Sequence, residues 1–220
     1  MLLRQSTVAR TWRRILGKGD PQIMDYSLYH AVNQFVLHHA WLGRGFATFE
    51  GLAVPLLAAA TVALWLLARP GASRKWKLAA ANALGSSALA LIINMIIGHA
   101  WFRLRPFLAH PSAHLWGSIT HDTSFPSDHA SAAFAIAFAV LFFDRVAGSI
   151  FLAAAVVIGF GRVIIGEHYP TDVLAGILVG LVSAVLVVKL ARRPLEWLVR
   201  LVERLTDPVV TSVRRWAHVG

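Results

Sequence analysis

Three short stretches of the chain carry residue types that together can handle a phosphate. They are Arg103-Leu104-Arg105-Pro106, Ser124-Phe125-Pro126-Ser127-Asp128-His129, and the run from Gly161-Arg162 to Glu167-His168-Tyr169-Pro170-Thr171-Asp172. Arg103, Arg105 and Arg162 offer planar forks suited to phosphate oxygens. Ser127 stands where an apolar run begins and suits a helix N-cap. The amides of Asp128 and His129 would then face an anion, helped by the helix dipole. His168 and Asp172 are four apart with Pro170 between them, and proline favours a first helical turn. Asp172 in that turn can reach back, hold His168 in one tautomer and leave the other ring nitrogen free to attack. His129 remains as the proton donor. A single arginine at a helix border is explained equally well as a headgroup anchor. Three arginines, two histidines and an aspartate converging from three loops at membrane borders point to function.

The elements that must position these residues are apolar blocks. Of 220 residues, 57% are hydrophobic and 15% charged, there is no cysteine, and the mean hydropathy is +0.61. The apolar residues gather in blocks of about 16 to 22, close to the ~20 that cross a bilayer as a helix. This composition excludes a disordered chain, a disulfide scaffold and an ordinary cytosolic enzyme, and the lack of cysteine removes thiolate catalysis and iron–sulfur or cysteine-rich zinc sites. Five blocks are expected as spans, at 49–67, 78–98, 129–143, 149–165 and 171–190. The second carries Asn82, Ser86, Ser87 and Asn94 and is expected to face other helices. Gly159, Gly161, Ala175, Gly176 and Gly180 in the last two permit close helix packing. Residues 26–46 mix apolar and polar groups and read as an interfacial helix or a sixth crossing. Residues 103–127 read as a long functional loop without an element of its own.

The net charge of +10 follows the same plan. Positive residues fill a leader at 1–20, a cluster at 69–77 and a tail at 191–220, all outside the apolar blocks, which favours a membrane protein over a nucleic-acid binder. Arg69, Arg74, Lys75, Lys77, Arg145, Lys189, Arg192 and Arg193 fall on one side and Arg44, Arg103, Arg105 and Arg162 on the other. The first side is therefore expected to be cytoplasmic and the three phosphate-type stretches extracytoplasmic. Six crossings would also put the basic leader inside. The tail reads as an amphipathic basic helix on anionic lipid. The domain plan is thus a leader (1–20), a membrane domain (21–190) and a tail (191–220).

The three stretches resemble the signature of the lipid phosphate phosphatase (type 2 phosphatidic acid phosphatase) superfamily. Arg105-Pro106 matches its first motif, Pro126-Ser127 and His129 its second, and Arg162, His168 and Asp172 its third with the spacing intact. The Arg103-x-Arg105-Pro106 and His168-Tyr169-Pro170-x-Asp172 runs are most similar to the bacterial undecaprenyl-diphosphate phosphatases of that superfamily. Three positions depart from the signature: Gly98 stands in place of its lysine, Asp128 in place of a glycine and Gly161 in place of a serine. The lysine's role would fall to His99 or Arg103.

The resemblance implies an all-α membrane bundle of five to six spans in the bacterial inner membrane, with an outward-facing site. It implies metal-independent hydrolysis through a phosphohistidine on His168, oriented by Asp172, with His129 as acid and then base. Arg105, Arg162, Arg103, Ser127 and the Asp128 amide would hold the phosphate, and no cofactor is expected. Undecaprenyl diphosphate is the expected substrate, with phosphatidylglycerol phosphate and phosphatidic acid as alternatives. Two rival readings are weaker. A metal site drawn from His110, His114, His121, Asp122 and His129 is broken by Pro111 and lacks a His-Glu-x-x-His run. A lipid transporter would explain polar residues such as Asn94 but not three phosphate motifs on one side.

Overall fold

The computed structural model describes residues 21–68 and 73–217, and among these there is no strand. The expected leader and Arg69 lie outside the described residues. Eight helices run α1 (Pro21–His38), α2 (Ala40–Leu67), α3 (Lys75–Ala100), α4 (Pro106–Ala109), α5 (Asp128–Phe143), α6 (Arg145–Ile164), α7 (Pro170–Leu190) and α8 (Arg192–Ala217). Four of them, α2, α3, α6 and α7, are long and apolar enough to cross a membrane, and α5 is a shorter apolar helix of 16 residues.

α5 is the hub. It packs extensively against α3, α6 and α7, and every residue from Ala130 to Ala137 is buried. Its alanine-rich composition suits this place, because small side chains let three neighbours approach from different sides. On α7, Gly176 and Gly180 meet α5 directly. A Cβ on Gly180 would lie 2.8 Å from the Ala135 amide and 2.9 Å from the Ser131 carbonyl. Gly180→Leu is therefore expected to cost about 1–3 kcal/mol, the usual range for overpacking, read as a lowered melting temperature in detergent. A variant as stable as the parent would contradict this close approach.

Three of the four polar residues singled out on α3 point inward, and Ser87 is half-buried. Asn82, Ser86 and Asn94 are all buried. Asn94 donates to the Asp128 carboxylate at 2.7 Å and to Ser131 Oγ at 2.9 Å, so the bundle satisfies internally what lipid could not.

Two expectations need correction. Residues 26–46 do not form one helix, because the chain breaks at His39 between α1 and α2. α1 buries Tyr29, Asn33 and Val36 and exposes Met24, Leu28 and Phe35. It is not among the helices suited to crossing by length and composition, and the helix that holds the first apolar block starts nine residues earlier than that block suggested. The loop at 103–127 also contains an element: the single turn α4, which Pro106 opens from an N-terminal position, the place proline favours.

At the opposite end of the bundle, Asp144 alone separates α5 from α6. It caps α6 by accepting from the Val146 and Ala147 amides and also takes Lys75 Nζ at 2.8 Å. Lys77 is 3% exposed and pairs with Glu203 and Asp207 of α8 at 3.2 and 2.6 Å. This part of the basic belt is therefore internal, fastening α8 to α3. α8 leaves Trp197, Leu201, Leu205 and Val209 exposed at helical spacing.

Candidate active site

Three loop–helix junctions at one end of the bundle bring the phosphate-type residues together. His168 sits on the turn between α6 and α7 and is 2% exposed. Its Nδ1 lies 2.8 Å from the Ser124 carbonyl oxygen. A carbonyl can only accept, so Nδ1 carries the proton and Nε2 presents its lone pair. Nε2 in turn lies 3.3 Å from Nη1 of Arg105, which can only donate. Both contacts define the same tautomer. Burial holds the imidazole below the usual histidine range, with Arg162 and Arg105 adding to the effect against the opposing Asp172 carboxylate.

Asp172 does not grip His168 in the way its spacing suggested. Its Oδ2 is 3.7 Å from His168 Nδ1, beyond a hydrogen bond. That oxygen accepts instead from Ser124 Oγ at 2.5 Å and from the Tyr169 amide at 2.9 Å, closing the first turn of α7. Ser124 thus links the two, its carbonyl on the histidine and its hydroxyl on the aspartate.

Arg103 also differs from expectation. Its guanidinium reaches Asp172 Oδ1 and Asp25 Oδ2, both at 2.6 Å, and Thr171 Oγ1 at 2.9 Å, and it lies 3.9 Å from the Tyr169 ring centre. Asp25, on α1, accepts in addition from the Thr171 amide and hydroxyl. Arg103 therefore stands behind Asp172, paired with two carboxylates. A cleft of 690 Å³ adjoins this group, lined by Trp101, Phe102, Leu104 and Phe125 together with Arg103 and Asp25.

Arg105 and Arg162 converge near His168. Arg105 holds Asp122 through two bonds, Nε at 3.1 Å and Nη2 at 3.2 Å, and gives Nη1 to Glu167 Oε2 at 3.0 Å. These bonds keep the Asp122 carboxyl below the usual carboxylate range although its partial burial works the other way. Arg162, 5% exposed, donates to Glu50 Oε2 at 3.0 Å and to the same Glu167 oxygen.

Ser127 caps α5, its Oγ accepting from the Ala130 amide at 3.5 Å while its own amide donates to the Asp172 carbonyl at 3.1 Å. First-turn amides have no carbonyl of their own helix to bond, so those of Asp128 and His129 are placed where they could meet an anion. Asn94 draws the Asp128 carboxylate toward α3. His129 is half-buried in the first turn of α5, close enough to Arg162, His168 and Arg105 to sense their charges.

The departures from the signature have local reasons. A Cβ at Gly98 would come within 2.6 Å of Thr123 Cγ2, so Thr123 occupies the start of the space a lysine would use. Of the two suggested substitutes, Arg103 is paired with two carboxylates, and exposed His99 bonds the Met95 carbonyl. A Cβ at Gly161 would lie 2.3 Å from Glu50 Oε1, so Glu50 fills the room a serine would need.

Two of these participants, Asp25 and Glu50, lie outside the three stretches read from sequence, and two, Ser124 and Glu167, lie inside them without an assigned role. Glu50 did give a signal, as an acidic residue inside an apolar helix.

Residues 79–195 match the model of the PAP2 superfamily. The chain is 31% identical over 193 residues to undecaprenyl-diphosphatase BcrC of Bacillus subtilis, covering 87% of this chain and 96% of that protein. It is 38% identical over 133 residues to the putative undecaprenyl-diphosphatase YbjG of Escherichia coli, 59% of this chain and 62% of that one. The crystal structure of a transmembrane PAP2-type phosphatidylglycerolphosphate phosphatase from Bacillus subtilis superposes with a TM-score of 0.58 at 19% identity. It covers 87% of this chain and 96% of that one. The apolar helical bundle, the motif residues gathered at one end of it and this similarity along most of the chain agree: this membrane protein belongs to the PAP2 superfamily.

Proposed function

We propose that this chain removes the terminal phosphate of undecaprenyl diphosphate through a phosphohistidine, at the extracytoplasmic face of the bacterial plasma membrane. Hydrolysis of a lipid phosphate is the activity its family membership carries. The observation that supports the covalent route is the tautomer of His168. With Nδ1 donating to the Ser124 carbonyl, Nε2 is the nucleophilic atom and faces Arg105.

In the first step Nε2 attacks the terminal phosphorus, and the bond from phosphorus to the bridging oxygen breaks. His129 protonates that oxygen as undecaprenyl phosphate leaves. In the second, His129 takes a proton from water, which attacks the phosphohistidine and yields inorganic phosphate with His168 restored. Arg105, Arg162 and the Asp128 and His129 amides meet the equatorial oxygens as charge spreads in the transition state. Asp172 lies behind Nδ1 and favours the imidazolium-like charge that develops on phosphorylation. Arg103, held against Asp172, acts as a positioning residue. Arg103→Gln is expected to lower kcat about tenfold with KM nearly unchanged, because it removes support for the transition state rather than a substrate contact. A selective rise in KM would return Arg103 to the phosphate.

Because burial holds His168 below the usual histidine range, the nucleophile stays neutral at mildly acidic pH. The acid limb of kcat/KM is therefore expected below the ordinary histidine pKa of ~6.5. A limb at or above that value would contradict a buried neutral nucleophile.

The near full-length similarity to BcrC favours undecaprenyl diphosphate as substrate. The exposed apolar stripe and basic residues of α8 suit anionic lipid on the cytoplasmic leaflet. The deciding experiment is phosphate release by purified protein in detergent from undecaprenyl diphosphate, phosphatidylglycerol phosphate and phosphatidic acid at equal surface concentration. The highest kcat/KM is expected on the diphosphate. Preference for either glycerolipid would reassign the substrate, and no release from any of the three would leave a transport role as the better reading.

A further inference from the structure

Glu167 precedes the proposed nucleophile by one residue and is 7% exposed. One oxygen of its carboxylate, Oε2, accepts from Arg105 Nη1 at 3.0 Å and also from Arg162 Nη2. The same Arg105 Nη1 lies 3.3 Å from His168 Nε2. A single anionic oxygen therefore bridges the two guanidinium groups beside the attacking nitrogen. A phosphoryl group in line with Nε2 needs those same N–H groups for its equatorial oxygens.

The charge balance points the same way. Arg105 and Arg162 face Glu50, Glu167 and Asp122, so the arginines are already neutralised. A phosphate added to that set would find no unpaired positive charge in a poorly solvated place. One carboxylate has to give way. Glu50 is 4% exposed within the long helix α2 and fills the space beside Gly161. Asp122 has a side chain 59% exposed and holds the opposite edge of Arg105, leaving Nη1 to others. Glu167 alone of the three combines a seat between both arginines with a place on a turn rather than in a helix. Its Oε1 rests against Gly117, where an added Cβ would come within 2.4 Å, so the glycine leaves room for it.

We propose that Glu167 occupies the seat of a phosphate oxygen between Arg105 and Arg162, yields it to the incoming phosphoryl group and competes with inorganic phosphate for it after hydrolysis. It would thereby hold product affinity low and keep the two arginines paired between turnovers. This proposal rests on the phosphatase reading. It is separable from that reading because it concerns the strength of anion binding rather than the chemistry.

The test uses the full chain in detergent and two probes, orthovanadate and inorganic phosphate, as inhibitors of phosphate release from undecaprenyl diphosphate, with released lipid phosphate as the readout. Glu167→Gln keeps the size of the side chain but removes its charge, and is expected to be inhibited by both probes at concentrations at least about tenfold lower than the wild type. Glu167→Asp withdraws the carboxylate by one methylene and is expected to fall between the two. It also carries the test if the glutamine variant does not fold. Inhibition constants unchanged or raised in the folded variants would overturn the proposal, making Glu167 a support for the arginines only. A wild type that turns over and is inhibited, beside variants no more sensitive, would sink this proposal and leave the phosphatase reading intact. A wild type that neither releases phosphate nor responds to vanadate would sink both.

Discussion

His168→Ala is expected to reduce turnover by about 10⁴-fold or more, the scale on which enzymes lose activity when a covalent nucleophile is removed. The structure leaves little to replace it. Its Nε2 faces Arg105, which is held on either side by Asp122 and Glu167. His129 is expected to behave differently. The leaving oxygen of a diphosphate is already a weak base, whereas water needs help to attack. Removing His129 should therefore slow the second step more than the first, at a cost of about 10²–10⁴ in turnover. With substrate labelled in its terminal phosphate, His129→Ala should accumulate a phosphoprotein that is stable in alkali and lost in acid, as expected of a nitrogen–phosphorus bond. The double variant His129→Ala/His168→Ala should accumulate none. Label retained without His168, or label resistant to acid, would remove His168 from the nucleophile's role.

The two histidines show how much of the site is legible in the sequence alone. Each sits in a short motif whose spacing is set by local geometry. Ser127 caps α5 and so brings His129 into the first turn, while Pro170 starts α7 and brings Asp172 within reach of the His168 turn. Local rules of this kind are written in neighbouring residues. The five apolar blocks were legible for the same reason: the helices built on them meet their expected limits within a few residues, except that the first begins nine residues early. What escaped was the set of partners contributed from far away in the chain. Asp25 lies 78 positions before Arg103, and Glu50 lies 112 positions before Arg162. No spacing rule links them. Ser124 escaped for another reason: its carbonyl, a group every residue carries, is what fixes the histidine. The direct Asp172–His168 bond was therefore the natural expectation from sequence, and the intervening serine is the correction.

The second large effect is expected at Arg162, where function and stability part company. Arg162→Met should lower kcat/KM by about 10²–10³, the loss typical of one donor aimed at developing charge. It should also destabilise the bundle by about 3–5 kcal/mol, because Glu50 would be left buried without its cation. Glu50 Oε1 already lacks a hydrogen-bond partner, and the Arg162 bond to Oε2 is what offsets its burial. Adding Glu50→Gln to the Arg162→Met background should then restore much of the lost melting temperature and none of the lost activity. Recovery of activity would mean that Arg162 matters only as a counter-ion to Glu50. The same pair predicts the behaviour of the unusual glycine at 161. Gly161→Ser in the wild type would place a Cβ 2.3 Å from Glu50 Oε1, and should weaken the protein unless Glu50 is shortened. Glu50→Ala/Gly161→Ser should accordingly be more stable than the sum of its single variants, by an interaction energy of about 1 kcal/mol or more. Strict additivity would mean that the glycine and the glutamate are neighbours without being coupled, and that the serine of the family signature is absent for some reason other than the space Glu50 takes.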